Sequence, residues 1–355
     1  MKLLTPALLG LALTTPVLAD DEAANAAPEK PHAALMAPLA AKRTLLGIAA
    51  VGTGRLVAVG DRGHILVSTD GKQWQQVPSP VDVMLNRVRF RDDKTGFALG
   101  HDASIVMSGD GGATWKVVHF DSTSRPLYDI AFVDDQHLFA IGGYGLFLDS
   151  ADGGATWKVR DFPIGALGQH FNAVVKLGDG SWLVAGEKGL LMHSTDNGAN
   201  WAMLDSPYTG SFFGAQALGD KGVLVYGLRG HVYAAADVTK CPTLKVDGYD
   251  PYTRETVIGD DKLAKLGWRS VPLSTTESLF GGASGDAGRV LVGVNGTVVM
   301  LDPAATGATA PIPPDGDTLA DVISRNGTWL AVGRRGARDL GKLAPATGAV
   351  KSGEH

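Results

Sequence analysis

Residues 108–117 read SGDGGATWKV, and residues 150–159 read SADGGATWKV: the same ten residues, 42 positions apart, with one change. A catalytic loop is seldom needed twice, so duplication at that spacing points first to architecture. Lining up the two copies exposes a longer unit. An apolar run is followed by a turn, a second run ending in Gly, a two-residue turn, a third run, the Asp-containing turn, and a Trp that opens a fourth run. The closing Gly falls at Gly60, Gly100, Gly142, Gly186, Gly227, Gly293 and Gly333, giving steps of 40, 42, 44, 41, 66 and 40 residues.

A four-stranded antiparallel unit of about 40 to 45 residues is one propeller blade, and seven of them predict an all-β, seven-bladed β-propeller. The runs are short, β-branched and bounded by Gly and Asp, as in LNRVRF, TGFALG and SIVMS of the second unit. A single blade cannot bury both its faces, so blades must stack until the ring closes. The last unit lacks an evident fourth strand, and AALMAPLA at residues 33–40 is expected to pair there and close the ring.

The turn pattern is S-x-D-x-G-x-T-W. It is complete at Ser108, Asp110, Gly112 and Trp115 and again at Ser150, Asp152, Gly154 and Trp157. A third copy, Ser194, Asp196, Gly198 and Trp201, has Asn200 in place of Thr; unit one keeps a shortened form at Ser68, Asp70 and Trp74, and Asp237 keeps the expected offset in unit five. Units six and seven have lost the pattern. This is similar to the Asp-box of BNR-type, sialidase-like propellers. Physically, the carboxylate can accept backbone N–H groups across the turn, Gly supplies a positive φ, and the Trp can pack between blades. Burying an indole contributes at most about 6 kcal/mol. These aspartates are therefore read as structural staples and not as catalytic acids or metal ligands.

The chain has 355 residues, 45% hydrophobic and 19% charged, with a net charge of −5, which favours neither nucleic acid nor an anionic membrane surface as partner. Residues 1–19 read as a secretory signal: Lys2, an apolar stretch, then Val17, Leu18 and Ala19 at the cleavage site. Residues 20–38 read as a flexible Ala/Pro-rich leader, 39–345 as the propeller and 346–355 as a tail. The expectation is an exported or periplasmic, soluble monomer with no membrane span. The sole cysteine, Cys241, rules out an internal disulfide.

In a four-stranded blade, the turn between strands two and three shares a face with the link to the next blade. Those turns are Asp61-Arg62, His101-Asp102, Gly143-Tyr144, Glu187-Lys188, Leu228-Arg229, Val294-Asn295 and Arg334-Arg335, with five basic residues against three acidic in a protein negative overall. Arg125, in the link after unit two, reaches the same side. The guanidinium fork suits carboxylates, so Arg62, Arg125, Lys188, Arg229, Arg334 and Arg335 are the candidate partner-binding residues.

The 66-residue step implies an insertion at 238–267, in which Tyr249, Pro251, Tyr252 and Arg254 resemble an interaction loop and a decorative hairpin is the plainer reading. Asp247, Asp250 and Asp260 match no calcium-loop spacing. His101, His137, His170 and His193 are scattered, and Glu187, Glu255 and Glu277 have no evident Tyr partner. No cofactor, metal or catalytic set is expected. An acidic pair with an arginine cluster at the central cavity would revive a sialidase-like glycoside hydrolase.

Two stretches, AVGDRGHILVSTDGKQW (residues 58–74) and VAGEKGLLMHSTDNGANW (residues 184–201), share a Gly-x-x-Gly turn feeding the Asp-containing turn. In this the chain resembles the photosystem II assembly and stability factors, over residues 45–336. The resemblance implies a non-enzymatic propeller of seven blades that binds a membrane-protein partner during its assembly through an arginine-rich surface, which would fall on Arg62, Arg229 and Arg335. A structural accessory subunit of an envelope transport system differs from this only in how long it stays bound. The lipid-modified cysteine that often follows the signal in such proteins is absent here.

Overall fold

The computed structural model describes residues 29–161, 163–247, 258–309 and 315–344. Seven antiparallel sheets follow one another along the chain, and their first strands, Leu45–Val51, Leu85–Phe90, Leu127–Phe132, Phe171–Lys176, Phe212–Leu218, Leu279–Gly285 and Leu319–Arg325, pack side by side around a central channel. The chain is a seven-bladed β-propeller. Second strands are buried along nearly their whole length, because each has a strand on both edges and a blade on both faces.

The apolar core is divided seven ways. One cluster of buried side chains fills each blade junction, from Val57, Leu85 and Val88 between blades 1 and 2 round to Leu45, Leu56, Leu330 and Val332 between blades 7 and 1. The seam between the chain's last and first blades is thus packed like the other six. Each buried Leu, Ile or Val at such a junction contributes about 1.5–3 kcal/mol.

The counting glycines have a steric cause. A Cβ on Gly60, Gly100, Gly142, Gly186, Gly227, Gly293 or Gly333 would lie 2.0–2.3 Å from the carbonyl oxygen of the residue that precedes the same blade's first strand. The backbone there is extended, so the constraint is close approach and not φ.

The Ser-x-Asp turns work as staples. In blade 2, Asp110 Oδ1 accepts from the backbone N–H of Ala113 (3.0 Å) and Thr114 (2.9 Å), while the Ser108 hydroxyl donates to it (2.9 Å) and Gly112 N–H donates to Ser108 Oγ (2.8 Å). The Trp115 indole N–H donates to Gly112 O at 3.1 Å, and its ring meets Phe90 edge-on at 6.1 Å. Trp157 and Trp201 make the same indole bond, to Gly154 O and Gly198 O, but their rings meet Phe97 and Phe139 of the preceding blades, whereas Phe90 belongs to Trp115's own blade. Asn200 substitutes for Thr by donating its side-chain N–H to Asp196 Oδ2 at 2.8 Å. Asp70 still accepts from Lys72 and Gln73 in the shortened turn, and Asp237 caps a single 3-10 turn through Thr239.

The structure departs from the sequence reading in four places. Blade 6 has not lost its aspartate: Asp302 accepts from Ala304 N–H, Thr306 N–H, the Thr306 hydroxyl and Gly307 N–H, with Leu301 in front of it and neither Ser nor Trp. Residues 33–40 form no strand on blade 7; they lie along the outer strand of blade 1, where Ala34 N–H donates to Ser79 O (3.0 Å) and Ala37 N–H to Gln76 Oε1 (2.8 Å). The leader is therefore tied down from Glu29 onward, whose N–H donates to Ser122 Oγ. Among the described residues, blades 6 and 7 have three strands each, the edge of blade 6 being bridged by Leu301 to Ala308. The insertion's ends are packed: Thr243–Leu244 adds a fifth strand to blade 4, the short helix Asp260–Lys265 buries Leu263, and burial pushes the Cys241 thiol up to about 11. Tyr249, Asp250, Pro251, Tyr252, Arg254 and Glu255 lie outside the described residues, as do residues 1–28 and the tail.

Candidate partner-binding face

One hydrogen bond is repeated in all seven blades. The first residue of each turn between strands two and three donates its N–H to the residue just before the blade's first strand: Asp61 to Thr44 O, His101 to Met84 O, Gly143 to Pro126 O, Glu187 to His170 O, Leu228 to Ser211 O, Val294 to Ser278 O and Arg334 to Thr318 O, at 2.9–3.0 Å. It fastens the rim turns to the upper mouth of the channel. In six blades the second turn residue is left-handed: Arg62, Asp102, Tyr144, Lys188, Arg229 and Asn295 have φ of 52–57°. A left-handed, stitched backbone leaves the rim side chains fixed at their base.

The six candidates fall into two groups. Arg62, Arg229, Arg334 and Arg335 are exposed on blades 1, 5 and 7. Arg62 has 79% of its side chain in solvent, with Asp61 at 4.0 Å; Arg334 is 3.8 Å from Asp317; Arg229 N–H donates to Ser278 Oγ at 3.1 Å. The seam joins two of these blades, as Thr44 Oγ1 reaches Arg334 O at 3.5 Å. Arg125 and Lys188 belong to a different group over blades 3 and 4. Arg125 lies over the Tyr144 ring at 5.5 Å, Tyr144 packs on His170 at 4.5 Å, and Glu187 sits 3.7 Å from His170 and 3.9 Å from Lys188. Glu187 thus has aromatic neighbours that the sequence did not reveal, and with burial it helps raise the Tyr128 hydroxyl above its ordinary value. Blade 2 carries the opposite sign: burial, with Glu29, Asp82 and Asp121 nearby, holds the Asp102 carboxyl above its usual range.

The central channel, a cavity of about 480 Å³, holds the acidic pair and arginines whose presence would favour a hydrolase. Asp129 and Asp321 stand with Arg87 and Arg89. Arg89 holds Asp129 through Nε (2.6 Å) and Nη2 (2.8 Å), and Ile130 and Val174 N–H also donate to it at 3.0 Å. Asp321 accepts from Arg87 Nη1 (3.0 Å), Ile48 N–H (3.2 Å) and Val322 N–H (2.9 Å). Burial alone would raise the Asp129 pKa, but the Arg89 and Arg87 charges overcome it and hold the carboxyl below its ordinary value. An ionised carboxylate with its acceptors filled is neither a general acid nor a free nucleophile. The network ties blades 1, 2, 3, 4 and 7 together. Sequence reading missed it, although Arg87, Asp129 and Asp321 share one signal: each is the third residue of its blade's first strand.

His193 Nε2 lies 3.0 Å from Ser181 Oγ, whose hydroxyl donates to Asp179 at 2.6 Å. The serine sits between the other two, with its proton on Asp179, so the order is not that of a nucleophile, a base and a group that orients the base, and burial lowers the His193 pKa. Among the described residues, no three His, Cys, Asp or Glu side chains could hold a metal ion together, and no helix is long and apolar enough to cross a membrane.

The family model described as photosynthesis system II assembly factor YCF48 matches residues 65–125 and 115–261, more than half of the chain. The chain belongs to the YCF48 family. Arg125, Lys188 and Arg229 lie inside the matched residues; Arg62, Arg334 and Arg335 lie outside them. A solved structure of YCF48 bound to a D1 peptide superposes with a TM-score of 0.60 at 14% identity, covering 88% of this chain and 97% of that one. YCF48 from Cyanidioschyzon merolae gives 0.62 at 13%, covering 84% and 96%. The WD40 propeller domain of Doa1 gives 0.59 at 11%, covering 87% and 96%, so these superpositions speak for the propeller and the family model for YCF48 membership. No curated protein matches the chain in sequence.

Proposed function

We propose that this chain is a non-catalytic, exported propeller that holds an acidic segment of a membrane-protein partner, assisting its assembly or stabilising it. The observation that carries the reading is the exposed set Arg62, Arg229, Arg334 and Arg335, presented by turns stitched to the channel mouth. Guanidinium forks on a fixed base recognise carboxylates without the ordering cost of a mobile loop. That YCF48 has been solved with a D1 peptide supports peptide recognition by a relative. Export rests on the pattern of residues 1–19.

A sialidase-like hydrolase is the alternative that Asp129, Asp321, Arg87 and Arg89 bring to mind. Against it, the cavity's carboxylates are saturated by arginine and backbone donors, leaving no proton to give to a leaving group. The test is an affinity capture from solubilised envelope membranes, comparing the native protein with a variant carrying Arg62→Ala, Arg229→Ala, Arg334→Ala and Arg335→Ala. A membrane protein retained by the first and lost by the folded second supports the reading. Equal retention by both would move the site off this face.

A further inference from the structure

A second regularity surrounds the channel mouth. Each first strand skips its second residue in pairing with the second strand, a β-bulge repeated in seven blades at Leu46, Asn86, Tyr128, Asn172, Phe213, Phe280 and Ala320. All seven are half-buried, so the bulge raises one ring of side chains at the mouth, inside the ring of rim turns. The ring is divided by polarity. Asn86 and Asn172 turn inward and donate to Leu127 O and Phe212 O of the next blades, both at 2.8 Å. Phe213, Phe280, Ala320 and Leu46 run consecutively through blades 5, 6, 7 and 1, with the two Phe rings 5.2 Å apart.

The apolar arc coincides with the basic one. Arg229, Arg334, Arg335 and Arg62 stand outside it on blades 5, 7 and 1, and the Arg229 backbone is hydrogen-bonded to Ser278, two residues before Phe280. On the arc, Asp61 stands beside Arg62 and Asp317 beside Arg334, both arginines keeping most of their side chains in solvent, whereas the acidic group of Glu29, Asp82, Asp102 and Asp121 lies over blade 2. Charge complementarity therefore selects an acidic occupant for the arc and disfavours one lying over blade 2.

Resting on the reading that this face binds an acidic segment, we infer that the Phe213–Phe280 arc is its specificity pocket: it takes one large apolar side chain of that segment while the arginines outside engage the carboxylates on either side. The polarity of the mouth then fixes where the segment lies as well as whether it binds. Apolar burial at the centre with charges on the rim is the division of labour found in protein recognition sites.

The experiment uses two labelled twelve-residue peptides of alternating Glu and Ser, one with a central Phe and its twin with Ser there, titrated against the full chain by fluorescence anisotropy. The native protein is expected to hold the Phe peptide about tenfold more tightly. Phe213→Ala with Phe280→Ala should bind both peptides equally at the twin's affinity, and Phe213→Leu with Phe280→Leu should keep most of the preference, each variant first shown to melt as the native protein does. Equal binding of the two peptides by the native protein, or a preference that survives the alanine pair, overturns the pocket while leaving the arginine face standing. Binding of neither peptide at low salt overturns both.

Discussion

Asp129→Ala is the perturbation that most directly tests how the ring is held. The carboxylate is wholly buried and accepts four hydrogen bonds, two from Arg89 and one each from Ile130 and Val174 N–H, with Arg87 Nε 3.7 Å away. Removing it strands the two backbone donors and leaves Arg87 with Asp321 alone. Arg89 has 42% of its side chain exposed and can be hydrated again, so its share is small. Breaking a buried pair from one side costs about 3–5 kcal/mol. In a chain of this size, about 2 °C per kcal/mol translates that into a melting point lower by about 6–10 °C. Differential scanning calorimetry, with Asp93→Ala on the exposed surface as control, makes the comparison. The Asp129 pKa is depressed on folding, so its contribution is present above the ordinary carboxylate value of about 4 and is lost as pH falls through the lower folded value. The gap between native and variant should hold from pH 8 to 5 and close in stronger acid. A variant melting within about 2 °C of the native protein at pH 7 would refute the idea that this network clamps the ring.

Gly293→Ala would place a Cβ 2.0 Å from Ser278 O and should cost at least about 3 kcal/mol or abolish soluble expression, whereas Gly54→Ala, with nothing within 4 Å, should stay within about 0.5 kcal/mol in denaturant titration. Trp157→Ala removes a buried ring from the junction of blades 2 and 3 and should cost about 3–5 kcal/mol in the same titration. The Thr114 hydroxyl, with the backbone donors of its turn, lowers Asp110 to about 2, so the turn's contribution is present above about 4 and lost as pH falls through about 2; an NMR carboxyl titration with a midpoint near 4 would contradict it.

The ring itself could be read from the sequence because its determinants are local. Gly100 and Gly142 meet a carbonyl of their own blade, and Ser108, Asp110 and Trp115 close a turn within eight residues, so both repeat wherever a blade repeats. What escaped was whatever crosses between blades or shifts by one residue. Asp302 follows its strand directly, where Asp110 stands two residues beyond Ser108, so it falls outside the Ser-x-Asp spacing. Arg87 and Asp321 are 234 positions apart and share only their place in the blade. The apolar run at 33–40 suits the missing strand of blade 7, yet Gln76 and Ser79 on blade 1 offer it specific partners that its own residues do not reveal. The basic rim was visible as turn residues, but its division into an arginine group and a Tyr144–His170 group depends on links between blades.

Among the described residues, the seam between blades 7 and 1 shares no strand: each of these blades comes from one unbroken stretch of chain, and side-chain packing with the Asp321 clasp joins them. In heredity, this makes the unit of sequence and the unit of shape the same. Copying a stretch of about forty codons adds a finished wedge, complete with its glycine fit and its staple, and asks nothing of a distant partner strand. The near-identical decapeptides at 108–117 and 150–159 are what such a copy leaves behind while its rim residues, His101-Asp102 in one and Gly143-Tyr144 in the other, have already gone separate ways.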